Sequence, residues 1–432
     1  MAGDDLRSVV KGRVWRPDDD GFDAARKAWN LAVDQPVAAV VEAADAEDVA
    51  ALVRYARRSG STVTAQASGH DASGDVEGAI LLRTGRLDGV RVRASERVAR
   101  VGAGVNWGRV LSEAGPHGLI GLAGSSPVVN VAGYTLGGGL SWFGRKYGWA
   151  ADSVRAFDIV DADGDQRRVT ETSDPELFWG LRGGGGDFAL VTSLEFDLYS
   201  APRVYGGRVI WPDAHGGEVF ELFREITKGA PPELAVWFSR FAFPGAPPMV
   251  ALDMTYLGDP GEGAELVRRL DGIDGVISDN RGLVAVADLG DIAGESTAPT
   301  AGLIRAELLT RLDEGLVTEP IDPLISIQLR HLGGALAEPA SGASGPLAEP
   351  YLLQMTGVGP DPNLAHATRT RQRHLAERFA AVITGRKPYT LLTRDESAAN
   401  AFPEPTLTRL RALKRSRDPH NTCRANHPVL NQ

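Results

Sequence analysis

The sequence predicts an α+β protein built as two domains, and three observations predict it. Its 432 residues exceed one ordinary core, since domains commonly run to roughly 100–200 residues. Between Pro36 and Ala67 the apolar pattern reads strand, helix, strand. After Ala201-Pro202 it changes to long strands alternating with two amphipathic helices.

Taken in order, residues 1–33 form a polar, ill-patterned N-terminal extension with a loop at Pro17-Asp18-Asp19-Asp20. Residues 37–41 make a short strand. Asp45 caps a helix running through Arg58, whose Val49, Leu52, Val53 and Ala56 recur at i, i+3, i+4 and i+7. Gly60 ends that helix, and the strand 63–67 delivers Gly69 and His70 at its exit. Short strands follow at 79–82 and 98–101, then a helix over 106–114 with Trp107, Val110 and Leu111 turned inward. The Asp163-Gly164 turn joins strands 157–160 and 168–169 as a hairpin. Asp174 caps a short helix ending at Leu181, and residues 190–198 alternate as a strand. Residues 204–390 carry strands at 234–241, 249–256 and 324–329, helices near 217–227 and 261–270, and a Pro/Gly/Ser/Ala loop at 337–350. The cluster Arg409, Arg411, Lys414, Arg415 and Arg417 reads as a solvated helix face.

Composition removes several function classes. With 46 Lys and Arg against 56 Asp and Glu, the net charge of −10 argues against a nucleic-acid partner, which calls for a basic face. The single cysteine, Cys423, excludes an intramolecular disulfide framework and an all-cysteine metal site. The histidines pair neither with one another nor with carboxylates at metal-ligand spacing, so no metal is expected. No apolar run approaches the length of a membrane span. The acidic opening Met1-Ala2-Gly3-Asp4-Asp5 lacks a leader pattern and no Asn-x-Ser/Thr acceptor occurs, so the expected location is cytoplasmic.

The chemistry concentrates in three glycine-dense turns. They are Thr64-Ala65-Gln66-Ala67-Ser68-Gly69-His70-Asp71, then Ala123-Gly124-Ser125-Ser126-Pro127-Val128 continuing to Gly137-Gly138-Gly139, then Leu181-Arg182-Gly183-Gly184-Gly185-Gly186-Asp187-Phe188. A single such turn either merely links strands or opens backbone amides to a ligand. Three together offer backbone amides that side chains would otherwise block, the requirement for wrapping a pyrophosphate. The usual signatures of nicotinamide folds, P-loop NTPases, zincins and serine hydrolases are missing.

Residues 34–200 resemble the FAD-binding domain of the berberine-bridge-enzyme-like branch of the vanillyl-alcohol-oxidase superfamily. The resemblance is carried by Ser68-Gly69-His70 with Gly74 and by Ser126-Pro127-Val128-Val129 running into Gly133-Tyr134-Thr135-Leu136-Gly137-Gly138-Gly139. Lys146-Tyr147-Gly148, Asp152-Ser153-Val154, Asp174-Pro175-Glu176-Leu177-Phe178-Trp179 and the third glycine turn add to it. So does the tail, with Leu413-Lys414 leading into Asp418-Pro419-His420-Asn421 and Arg424-Ala425-Asn426.

That resemblance implies a two-domain PCMH-type fold. Residues 34–203 would bind FAD, residues 204–390 would form a substrate domain on an antiparallel sheet flanked by helices, and 391–432 would return to the first domain. It implies FAD contacts from Ala67, Ser68, Gly69, His70 and Asp71, from Gly124, Ser125, Ser126, Val131, Gly133 and Gly138, and from Tyr147, Val191, Asn421 and Asn426. In that family the histidine matching His70 bonds the flavin 8α carbon. Left to its own residues, His70 reads as a loop histidine bonding to backbone.

Two departures stand out. Ser126 occupies the place where many relatives have a cysteine that forms a second flavin bond, so only one covalent link is expected. Cys423 lies in the tail and reads as a buried small hydrophobe. The catalytic area transfers less directly. Tyr389 matches a family tyrosine placed to accept a proton, yet Leu391 replaces the asparagine that accompanies it; the alternative is a half-buried strand tyrosine. Ser326, Gln328 and Arg330 share one strand face, with His331 following. They either line a pocket over the flavin or form a solvated face. Trp142 and Tyr147 either shield the flavin or belong to the core.

The implied activity is hydride transfer from a small metabolite or secondary-metabolite intermediate to flavin N5, with O2 as electron acceptor. A dehydrogenase using another carrier, and a flavin-retaining protein without redox turnover, are the alternatives.

Overall fold

A computed structural model describes residues 5–430 of the chain. The first four residues of the expected N-terminal extension and the last two of the C-terminal segment lie outside the described residues.

The architecture is α+β in two lobes. The first holds two five-stranded sheets. One runs in the order Arg13–Trp15, Ala39–Glu42, Ile80–Arg83, Val63–Gln66, Cys423–Arg424, parallel except for its first pair. The other is antiparallel, in the order Val90–Arg93, Val98–Gly102, Leu190–Asp197, Val154–Val160, Gln166–Val169. Helix Ala46–Ser59 bridges them, since Val49, Leu52, Val53 and Ala56 pack with Ile80 and Leu82 of one sheet and with Val160 and Leu190 of the other. Asp45 caps that helix by accepting from Asp48 N, and Gly60 ends it in the left-handed conformation.

The second lobe is one eight-stranded antiparallel sheet with helices Gly216–Lys228 and Pro362–Arg378 on its outer face. Strands Leu234–Phe241 and Met249–Tyr256 fall where their alternation predicts. The expected strand 324–329 is Ser326–His331, and the helix expected near 261–270 stops at Leu266 and continues as a 3-10 turn, Arg268–Gly272. Strands Val204–Pro212, Gly302–Leu309 and Tyr351–Val358 complete the sheet. Ala235 and Trp237 turn inward to the first lobe's core.

The basic cluster of the tail does lie on a helix, Glu404–Arg417, but it is not one solvated face. Lys414 is fully buried, because its ammonium bridges the carboxylates of Asp418, 2.8 Å away, and Asp187, 3.6 Å away.

Candidate functional site

A cavity of about 1200 Å³, counting its open mouth, lies at the meeting of the three glycine turns and the tail. Its walls come from the loop leaving strand Val63–Gln66, from Asn130 to Gly137, from Gly185-Gly186 with Ala189 to Val191, and from Arg424 to His427.

Each wall is fixed by a local device. Gly69 adopts φ +75°, and a Cβ there would stand 2.8 Å from the Gln66 side chain and 3.1 Å from Ala28, so both backbone and space demand glycine. Asn130 accepts from Gly133 N at 2.9 Å while its amide donates to the carbonyls of Ala103 and Val105, each at 2.8 Å. The third turn closes on Tyr389. Gly185 has φ +87°, and a Cβ there would lie 2.5 Å from the tyrosine hydroxyl. Asp187 then pins the tail by accepting from Ala425 N at 3.0 Å and Val429 N at 2.9 Å. Asn426 completes the ring. It accepts from Ser73 N at 2.7 Å and donates to Asp71 O at 2.6 Å, so the tail clasps the His70 loop.

This cavity suits an extended anionic cofactor on two counts. The amides of Ser68, Gly69, His70 and Asp71 donate to no protein acceptor among the described residues, although they stand together in the wall. Successive free N–H groups in such a turn form an anion-binding concavity. The second is His70, whose Nδ1 is buried without a partner. A buried polar atom left unsatisfied costs free energy unless a ligand completes it.

The sequence-predicted residues divide. Ala67, Ser68, Gly69, His70, Asp71, Gly133, Val191, Asn426 and Tyr389 lie in the cavity wall. Gly124, Ser125, Ser126, Val131, Gly138, Tyr147 and Asn421 do not. Val131 is in the core, and Gly138 packs on Trp149 and Ser344. Tyr147 stacks on Tyr199 at 3.9 Å. Asn421 holds the turn before the tail strand, where its carbonyl accepts from Thr62 Oγ1 at 3.1 Å. Gly124 lies against the Tyr134 ring, and Ser126 Oγ is buried and unpartnered.

Tyr389 is engaged rather than free. Its hydroxyl donates to His427 O at 2.7 Å, and burial pushes its pKa up, so it is a poor proton acceptor as it stands. Gln328 and Arg330 lie outside the cavity wall and are no solvated face, being only 8% exposed each. Gln328 donates to Ser239 Oγ at 3.0 Å, and Arg330 Nε donates to Gln328 Oε1 at 2.6 Å. The Arg330 guanidinium lies 4.0 Å over Trp237, which itself stacks on Trp142 at 3.5 Å. His331 points to the opposite face, against Arg145 at 2.9 Å.

Glu295 is the carboxylate that sequence reasoning passed over. Ser125 Oγ donates to it at 2.6 Å from the first lobe, and Arg330 approaches it to 3.8 Å from the sheet. It lies in a polar stretch, Gly294-Glu295-Ser296-Thr297, that has no period or motif to mark it.

No helix among the described residues is long and apolar enough to cross a membrane. Residues 37–170 match the family described as FAD binding domain. Over 97% of its length the chain is 27% identical to (R)-6-hydroxynicotine oxidase of Paenarthrobacter nicotinovorans, covering 97% of that protein. The solved structure of 6-hydroxy-D-nicotine oxidase from Arthrobacter nicotinovorans is similar along 100% of both chains, with a TM-score of 0.86 at 23% identity. BBE-like 1 of Physcomitrella patens is similar over 99% of this chain and 98% of its own, with a TM-score of 0.84 at 19% identity.

Proposed function

We propose that the chain, whose residues 37–170 match an FAD binding domain, is a berberine-bridge-enzyme-like FAD-linked oxidase of a small metabolite, its cofactor bonded to His70. The observation that carries this reading is the conjunction, in one cavity wall, of four unsatisfied backbone amides with an imidazole nitrogen that has no partner.

Bound there, FAD supplies a two-electron acceptor for a hydride and hands the electrons on to dioxygen. The protein supplies the rest. The amides of Ser68 to Asp71 hold the pyrophosphate, and the Asn426 clasp keeps their loop in shape. His70 would hold the cofactor through a ring nitrogen in place of one hydrogen of the flavin 8α-methyl carbon, and the two protons and two electrons lost from that carbon and nitrogen would pass to dioxygen as hydrogen peroxide. Ser126 has no thiol to form a second bond, so the link is single.

The sheet face with Ser239, Gln328 and Arg330 roofs the substrate space, and its mutual hydrogen bonds keep these groups oriented. Glu295, joined to that face through Arg330 and to the first lobe through Ser125, is a carboxylate able to hold the proton released when a substrate is oxidised. Similarity over 97% of the chain to (R)-6-hydroxynicotine oxidase supports a small-molecule substrate and an oxidase reaction.

The test begins with colour. Acid-denatured protein is expected to retain yellow flavin in the pellet, and His70→Ala to release it to the supernatant. Flavin released from the wild type as well would remove the role of His70. Substrate oxidation in air should then yield peroxide; bleaching of the visible band without peroxide on re-aeration would make the protein a dehydrogenase instead. A flavin that stays oxidised under anaerobic substrate would end the redox reading.

A further inference from the structure

The segment before Pro36 reads from sequence as an unpatterned extension, yet it lies as a strap across the His70 loop. Trp29 N donates to Ser68 O at 2.8 Å and Asn30 N to Gly69 O at 3.4 Å. On its other side the strap is tied to the large-sheet lobe, where Leu31 N donates to Thr300 O at 2.8 Å and Asn30 Nδ2 to Gly302 O at 3.0 Å. Arg83 fastens its start by donating to Ala25 O at 3.0 Å and Lys27 O at 2.6 Å.

What the strap presents to the cavity loop is an indole. Trp29 stacks on the His70 imidazole with centroids 4.0 Å apart and an interplanar angle of 28°. Neither ring nitrogen of His70 has a hydrogen bond within the protein among the described residues, and Nδ1 is buried. The plane of this imidazole is therefore set by stacking. A ring on two rotatable bonds, with no hydrogen bond to hold it, samples several rotamers, and bond formation needs one of them. An aromatic face removes the others while leaving both nitrogens free.

We propose that Trp29 is a positioning residue for flavin attachment, holding the His70 ring edge-on to the cavity through the strap. The proposal rests on the covalent reading of His70 given above. Trp29 neither touches the reacting carbon nor moves a proton; it acts through His70.

The experiment follows attachment itself, apart from turnover. Protein purified without flavin from riboflavin-limited cells is mixed with FAD in air, and acid-stable flavin is measured over time. Trp29→Ala is expected to attach flavin at least about tenfold more slowly than wild type, while non-covalent FAD binding, read by fluorescence quenching, changes by less than about threefold. Trp29→Phe, which keeps a stacking face, should recover most of the rate. Attachment at the wild-type rate in Trp29→Ala, or a Phe variant as slow as the Ala variant, would overturn the proposal. Should Trp29→Ala not fold, Trp29→Leu replaces it: slow Leu with fast Phe supports stacking, and equal rates refute it. His70→Ala separates the two layers of the argument. If wild type and His70→Ala alike gain no acid-stable flavin, the covalent reading itself fails, whereas a normal wild type beside an unaffected Trp29→Ala removes only the role of Trp29.

Discussion

Lys414 is a cation without solvent contact, and its environment decides what replacing it does. Its ammonium donates to Asp187 O at 2.7 Å, Asp418 Oδ2 at 2.8 Å and Cys423 O at 2.5 Å. The two carboxylates are themselves fully used, Asp187 by tail amides and Asp418 by Thr422 N and Cys423 N. Lys414→Met keeps most of the volume but leaves two buried carboxylates with no cation. Breaking a buried pair from one side costs about 3–5 kcal/mol, so chemical denaturation should show a loss of that order. A loss under about 1 kcal/mol would mean that water enters and solvates the site. Beside it, the Cys423 thiol is pushed up by burial first and then by Asp418, which leaves it unreactive.

Among elements, the tail and the His70 loop act as a clasp, with Asn426 as its pin. Hydrogen bonds of this kind contribute roughly 1 kcal/mol each, and Asn426 makes two to the loop backbone. In a His70→Ala background, where FAD is held without a covalent link, Asn426→Ala should weaken FAD affinity by up to about thirtyfold. An unchanged dissociation constant in a fluorescence titration would show that the loop keeps its shape unaided. The elements legible in the sequence are those with local signatures. Asp45, Asn106 and Asp174 each cap a helix by accepting an amide three residues on, and the alternating strands declare themselves. Strands interrupted by glycine do not, as at Gly206-Gly207 and Gly357. At Gly357 the glycine is required, since a Cβ would meet Thr368 of helix Pro362–Arg378 at 2.4 Å. That helix hides in turn because its buried face includes Thr368 and Gln372. The site shows the same division. The His70 loop is visible as a glycine turn, whereas Glu295 and Trp29 gain their places from partners distant along the chain, Ser125 and His70.

On the scale of the molecule, Arg145 staples the lobes. From the first lobe it donates to Leu234 O, Ala230 O and Leu332 O and meets His331 Nε2 at 2.9 Å. Burial, then the neighbouring guanidinium, pulls the His331 pKa down to about 3, so the folded ring stays neutral. An unfolded histidine takes its proton near pH 6.5. Stability is thus intact above about pH 6.5 and falls as pH drops towards about 3, by at most roughly 1.4 kcal/mol per pH unit from this group. His331→Gln should flatten the slope of urea-unfolding free energy between about pH 6 and pH 4. Coincident slopes would place the acid sensitivity in other groups.

The pairing of Cys423-Arg424 with Val63-Thr64 joins segments about 360 residues apart in one sheet, and residues 424 to 427 finish the cavity wall. On a ribosome adding roughly 5–20 residues per second, that last wall arrives tens of seconds after the loop it faces. A nascent chain therefore offers the dinucleotide half a compartment. Cofactor capture thus waits until residues 424 to 427 have been made and have folded back onto the first sheet.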